Sequence, residues 1–231
     1  MLKRVTLSFC LLFMILSAIS VVRADWWMDV HYDSRLPYAD DEAYAIYQIM
    51  KDEPLGSEYY TVWVLQDWCK QSIVEYSLPY AKVWHMASHG GIDYWGLGNN
   101  FLLTHYDEKI YGGDVPDLSN VHGGGAMILA FASACISGAS KFWPWQYMLY
   151  QGFLDKGALA YMGYKDQVGD YDAYRFAYYF YLYASGDATG YSMSIGDAKS
   201  VAEQLVPSVK DNIQLYGNPY VMIVYGETWE Y

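Results

Sequence analysis

The run Ala126-Met127-Ile128-Leu129-Ala130-Phe131-Ala132 is apolar at every position. A strand with one wet face alternates polar and apolar residues, and this one does not. It is too short for a helix buried on all sides, and glycines precede it at 123–125. Its length and its flanks make it a strand covered on both faces. Residues 158–162 repeat the pattern, and residues 60–65 and 81–87 are rich in β-branched, aromatic and small apolar residues. A last strand is expected over 220–225.

Helical periodicity interleaves with these runs. Ala43, Ile46, Tyr47 and Met50 share one face of a helix over 40–50, closed by Pro54 and Gly56. Asp67 caps a helix running to about Ser77. Further helices are expected over 141–154, with Pro144 in the first turn and Gly157 beyond the end, and over 171–184 and 192–205. Gly98-Asn99-Asn100 between residues 92–97 and 101–104 reads as a hairpin turn. Strands alternating with helices, several of them apolar on both faces, describe an α/β protein with a mostly parallel central sheet. In such sheets ligands sit outside the carboxyl ends of the strands. His89 and Cys135 each follow such an end.

Composition narrows the function classes. The 231 residues are 54% hydrophobic and 17% charged, which excludes a disordered chain. The net charge of −12 argues against a nucleic-acid binder, which needs a basic face. Residues 1–24 have the form of a secretory signal peptide: Lys3 and Arg4, an apolar run over 5–22, then Val22 and Ala24 before Asp25. Cleavage would leave one domain, residues 25–231, in a secreted protein. An uncleaved leader would instead be a cell-surface membrane anchor, because the run nears spanning length. The leader carries Lys3, Arg4, Arg23 and Cys10, so the remainder is more acidic and holds only Cys69 and Cys135. Those two could pair in an oxidising compartment, but nothing in their spacing requires it.

The stretches Val83-Trp84-His85-Met86-Ala87-Ser88-His89-Gly90-Gly91 and Ile128-Leu129-Ala130-Phe131-Ala132-Ser133-Ala134-Cys135 carry a resemblance. With the hairpin between them, Gly157–Gly163 after them and Leu215-Tyr216-Gly217-Asn218-Pro219 near the end, they resemble the caspase-like (clan CD) cysteine peptidases. That group includes legumain, gingipain, clostripain, separase and the CHAT-domain proteins. The pattern is nearest to the gingipain-like and CHAT types, and it covers roughly residues 60–225. The resemblance implies a three-layer α/β/α sandwich with a small β-hairpin insertion. It implies a Cys135–His89 dyad that needs no third acid, and an endopeptidase acting through a thioester acyl-enzyme.

The residue chemistry agrees. A thiol becomes a good nucleophile as thiolate, and a neighbouring imidazole favours that form. Cys135 would attack a peptide carbonyl and His89 would protonate the leaving amine. The Gly90 and Cys135 backbone N–H groups are the natural donors to the oxyanion. Each residue also has a plainer role. A cysteine after an apolar strand is a small buried residue, and a histidine at a strand end bonds a turn.

Other chemistries find less support. His85 and His89 lack the His-Glu-x-x-His pattern, because Met86 holds the glutamate position. His31, His105 and His122 have no ligand spacing and read as surface or hairpin residues. Gly190-Tyr191-Ser192-Met193-Ser194 misses the second glycine of a serine nucleophile elbow, and it reads instead as a helix cap. Cys69 reads as helix core. No metal or cofactor is required. Structural calcium, which related peptidases bind, has no EF-hand order here to support it.

In the resembled family the residue two before the nucleophile helps shape the S1 pocket; here it is neutral Ser133. Asp166 and Asp170 follow the 158–162 strand and could restore a basic preference, or form an ordinary acidic loop. Trp143 and Trp145 could wall a subsite or pack a helix. The partner is a protein or peptide substrate. The alternative is an inactive extracellular binding domain on the same fold, for which 26 tyrosines would make an adhesive surface.

Overall fold

The computed structural model describes residues 26–52, 60–94, 97–141 and 143–224. The signal-peptide expectation and the Pro54–Gly56 helix stop lie outside them. Strands β1 (Trp26–Tyr32), β2 (Tyr60–Gln66) and β3 (Ala81–Ala87) open the chain. They are followed by β4 (His89–Ile92), β5 (Asn100–Leu103) and β6 (Lys109–Tyr111). The last three are β7 (Leu129–Ser133), β8 (Ala160–Tyr164) and β9 (Ile213–Gly217). The main sheet runs β2-β1-β3-β7-β8-β9, parallel except for β9, which is antiparallel to β8. β4, β5 and β6 form a small antiparallel sheet of their own. Helices α1 (Ala39–Asp52), α2 (Leu149–Asp155), α3 (Asp170–Ser185) and α4 (Ile195–Leu205) complete the layers. Among the described residues no helix is long and apolar enough to cross a membrane.

Both faces of the central strands are buried, as their uninterrupted apolar runs demand. Leu129 and Phe131 of β7 face a core built with α1, α3 and α4. Ala130 and Ala132 face the opposite core, with Trp84, Leu102, Leu149 and Phe153. The result is a three-layer α/β/α sandwich. Phe131 is the centre of the first core, edge-on to His85, Phe176 and Phe180. Phe131→Ala leaves a large void in a site with little freedom to collapse. We expect it to lower unfolding free energy by about 3–5 kcal/mol, read from denaturant midpoints at unchanged m-value.

Three elements and one cysteine depart from the sequence expectation. β1 has no counterpart in the pattern analysis. Met28, Val30 and Tyr32 alternate onto one core, but Asp29 and His31 between them read as solvent-facing and hid the strand. Both are in fact buried. His31 is therefore not a surface residue: its Nε2 meets Ser77 Oγ at 2.7 Å.

The expected strand over 220–225 is replaced by β9, ending at Gly217. Residues 220–224 do not join the sheet, and residue 225 lies outside the described residues. The Pro219 and Val221 carbonyls instead accept from the Gly196 and Ile195 N–H groups that open α4. Gly217 takes φ 87° beside the Leu159 carbonyl, a close approach that a side chain would block. The helix expected over 141–154 shortens to α2. Asn99 and Asn100 side chains accept the Tyr147 and Leu149 N–H groups and set its start. Cys69 is not helix core either. It is half-buried just before the short helical segment Lys70–Ser72, with Sγ 3.2 Å from Ser72 Oγ.

The serine at 194 does cap α4, as its Oγ accepts from Asp197 N–H. The hairpin also forms, earlier than expected, with β4 starting at His89.

The buried Asp29–His31 pair makes stability pH-dependent. Burial pushes the Asp29 carboxyl up to about 6, against the opposing hydrogen bond from Ser77. Its folded pKa exceeds the unfolded value of 3.8, so its contribution is full below that value and is lost as pH rises through 6. Burial, then the nearby His85, pushes His31 down to about 3, so that contribution is lost as pH falls below 6.5. Asp29→Asn is expected to be more stable than the parent at pH 8 by about 2–3 kcal/mol. A chemical-denaturation series of both proteins from pH 4 to 8 checks this, and a stability difference between them that does not grow with pH would contradict it.

Candidate active site

β3 and β7 are adjacent and parallel, with His85 beside Phe131 and Ala87 beside Ser133. Their carboxyl ends therefore open on one rim. Ser88 N–H donates to the Ser133 carbonyl at 3.2 Å and continues the pairing one step beyond β3. His89 and Cys135 follow within two residues on either chain. Both line one small cavity of about 30 Å³, together with Leu36, Pro37, Glu42, Ser133 and Val168.

The turn that presents Cys135 is held on every side. Ile136 sits at φ 62°, a left-handed conformation that a β-branched residue adopts only under constraint. Its N–H donates to the Asp166 carbonyl at 3.1 Å. Buried Asn100 donates through Nδ2 to the Ile136 and Ser137 carbonyls, both at 2.8 Å, and ties the turn to β5. Ser137 Oγ donates toward the Ala132 and Ala134 carbonyls and accepts from Tyr164 N–H. The Val168 N–H approaches Cys135 Sγ at 3.4 Å. Nothing in the local sequence marks Asn100 as a brace; hairpin and turn meet only in the fold.

Gly90 explains the glycine after His89. A Cβ at this position would overlap the Cys135 carbonyl oxygen, so the two backbones touch. The ladder also frees its N–H. Asp93 N–H donates to the Asn99 carbonyl and closes the hairpin. Alternation then makes Gly91–Phe101 and His89–Leu103 the hydrogen-bonded pairs, and Gly90–Leu102 the non-bonded pair. The Gly90 N–H thus points away from β5, on the edge of β4 that pairs with no described strand. The His89 imidazole is exposed and makes no hydrogen bond to another described residue.

Ser133 lines the Cys135 cavity, and its buried Oγ interacts with the Tyr164 hydroxyl. Asp166 does not join it there. Asp166 lines a separate cleft with Ile92, Tyr94, Ile136 and Lys165, while Asp170 lines the cavity. Glu42 is a cavity residue that sequence reading missed. It is buried on α1, and its Oε1 lies 2.8 Å from Nε2 of His85. Burial and then the Glu42 charge hold the adjacent Tyr164 hydroxyl well above its ordinary pKa, so it remains a neutral phenol. His85 belongs to β3 and His89 to β4; His85 Nε2 faces Glu42 in the interior, whereas His89 is exposed.

One cluster elsewhere gathers metal-type ligands: Asp33, Asp67 and His105. Arg35 already spans both Asp33 oxygens, at 2.6–3.0 Å, and reaches Asp107. Burial alone would raise the Asp33 carboxyl, but these Arg35 contacts and His105 hold it below its ordinary range. The cluster is an ion-pair network rather than an open coordination site.

No family model matches the sequence, and no curated protein matches it. Solved structures do match in three dimensions. Separase of Saccharomyces cerevisiae, solved in complex with securin, superposes with a TM-score of 0.57 at 14% identity. The match covers 86% of this chain and 12% of that one. The Arg-specific cysteine proteinase gingipain R superposes at 0.54 and 12% identity, over 86% of this chain and 47% of the other. The fold is that of the caspase-like cysteine peptidases. This chain thus spans less than half the length of either neighbour. The caspase-like sandwich accounts for the parallel sheet, for the small hairpin sheet before β7, and for the rim on which His89 and Cys135 meet.

Proposed function

We propose that the protein is a secreted cysteine endopeptidase with a Cys135–His89 dyad. The observation that carries the reading is the shared cavity of these two residues, at the ends of adjacent parallel strands of a caspase-like fold. Cys135 Sγ, as thiolate, attacks the scissile carbonyl and pushes its electron pair onto oxygen. The Gly90 and Cys135 N–H groups receive that oxyanion. As the C–N bond breaks, protonated His89 gives its proton to the leaving amine, and a thioester remains on Cys135. Water then attacks the thioester while neutral His89 takes its proton, releasing the carboxylate product and the thiolate. No metal or cofactor enters these steps.

Ser133, Glu42, Val168 and Asp170 line the cavity that holds Cys135, which supports Ser133 as an S1 residue. Asp166, in the neighbouring cleft, is the weaker S1 candidate. A peptide-library cleavage profile of residues 25–231, with Cys135→Ala as control, tests the reading. Cleavage at defined bonds that disappears in the variant supports it. Peptide capture without cleavage would instead identify an inactive binding domain on this fold.

A further inference from the structure

The rings of Trp143 and Trp145 stack 5.2 Å apart and 4° from parallel, and both are more than half exposed. Across from them stand Tyr94 and Leu97, 80% and 63% exposed. Together with Ile92 they line a cleft of about 470 Å³. Large apolar groups clustered on a surface mark a site that something covers. The cleft is built rather than incidental. Gln146 Nε2 donates to the Gly98 carbonyl at 2.8 Å and its Oε1 accepts from Trp143 N–H at 3.0 Å. Tyr147 N–H is held by Asn99 Oδ1 at 2.8 Å. The tryptophan loop and the hairpin turn are thus locked together before any ligand arrives.

Strand β4 links the cleft to His89. A second cleft, of about 310 Å³, shares Ile92 and Tyr94 with it and reaches Ile136, the residue after Cys135. β4 runs from His89 at the cavity to Ile92 at both clefts. At about 3.3 Å per residue, an extended peptide beside β4 reaches the tryptophans within roughly three to five residues. Direction follows from the proton. His89 donates to the leaving amine, so the leaving half of the substrate departs on the His89 side, along β4. The acyl half occupies the Ser133 and Glu42 side.

We propose that the Tyr94–Leu97–Trp143–Trp145 cleft binds a large apolar or aromatic side chain of the substrate, a few residues beyond the scissile bond on the leaving-group side. The inference rests on the peptidase reading above. Its occupant is a polypeptide, and aromatic stacking selects the side chain. The substrate class is therefore an extended chain with an apolar residue after the cut, which short substrates lack.

Two substrates with the library-selected acyl side test it. One is a peptide–aminocoumarin amide, with no residues after the cut. The other is an internally quenched peptide with Phe, Leu, Gly or Glu placed in turn at the second to fifth residues beyond it. The parent protein is expected to cleave the best Phe or Leu peptide about tenfold better than its Gly counterpart, chiefly through KM. The Trp143→Ala/Trp145→Ala protein is expected to lose about tenfold more on that peptide than on the coumarin amide. Leu97→Glu, outside the tryptophan loop, should give the same selective loss. Equal losses on both substrates, or no preference beyond the cut, overturn the proposal while the dyad stands. Absence of any Cys135-dependent cleavage overturns the peptidase reading instead. Tryptophan-fluorescence titration of the Cys135→Ala protein supplies a readout without turnover. Saturation by the Phe peptide supports the proposal, and a response to oligosaccharides alone overturns it.

Discussion

Cys135→Ala is expected to reduce cleavage of the library-selected peptide by on the order of 10⁴-fold or more. The alanine removes the sulfur that forms the thioester. His89→Ala should fall to a similar level, and the double variant should be no slower than either, because nucleophile and acid–base act as one unit. Thiol labelling gives an independent readout, with one precaution. Hydrogen bonds from the Ser72 hydroxyl and N–H lower the pKa of the half-buried Cys69 thiol, so it is a second reactive candidate. On a Cys69→Ser background, iodoacetamide should modify Cys135 at a rate that drops in His89→Ala. Cleavage that persists at the parental rate in Cys135→Ala would remove Cys135 from the chemistry.

Gly90→Ala should produce the second largest effect. The added methyl overlaps the Cys135 carbonyl, and both positions are backbone, so neither can swing aside. The Ile136 bond to Asp166 and the Asn100 braces hold the other side of the turn. Either β4 moves off or the nucleophile turn tilts, and both displace an oxyanion donor. Loss of one such donor corresponds to about 10²–10³ in kcat. The strain should lower stability by about 1–3 kcal/mol. The variant should therefore fold, by circular dichroism and denaturation, while kcat falls at least tenfold more than KM changes. A variant with parental kcat would show that the Gly90 contact has no role in turnover.

The candidate site was legible because its chemistry is written at strand ends. An apolar run stopping at Ser133-Ala134-Cys135 and another at Ser88-His89-Gly90 place both groups on the carboxyl rim of a parallel sheet, and the small residues there reflect tight backbone packing. Glu42 was not legible. On its own helix it is one of three acidic residues in the first turn, Asp40, Asp41 and Glu42, where acids suit the helix dipole. Only docking of α1 on β3 sets it against His85. β1 was missed for a related reason: the partners that bury Asp29 and His31, Ser77 and Trp84 among them, come from distant parts of the chain.

Local periodicity and apolar runs by themselves determined the class of layers, the burial of the central strands on both faces and the placement of His89 and Cys135 just beyond two strand ends. These depend on neighbours in sequence and on the repeat of each element, which the chain carries without help. The tertiary structure alone decided which strand follows β8 in the sheet, that Asn100 braces the nucleophile turn, and that Ser133 and Asp166 face different clefts. It also brought the Gly98 turn against the exposed Trp143–Trp145 stack. Each of these is a contact across many residues of chain, set by which buried or unpaired group finds its partner in the packed molecule, and no local spacing encodes it.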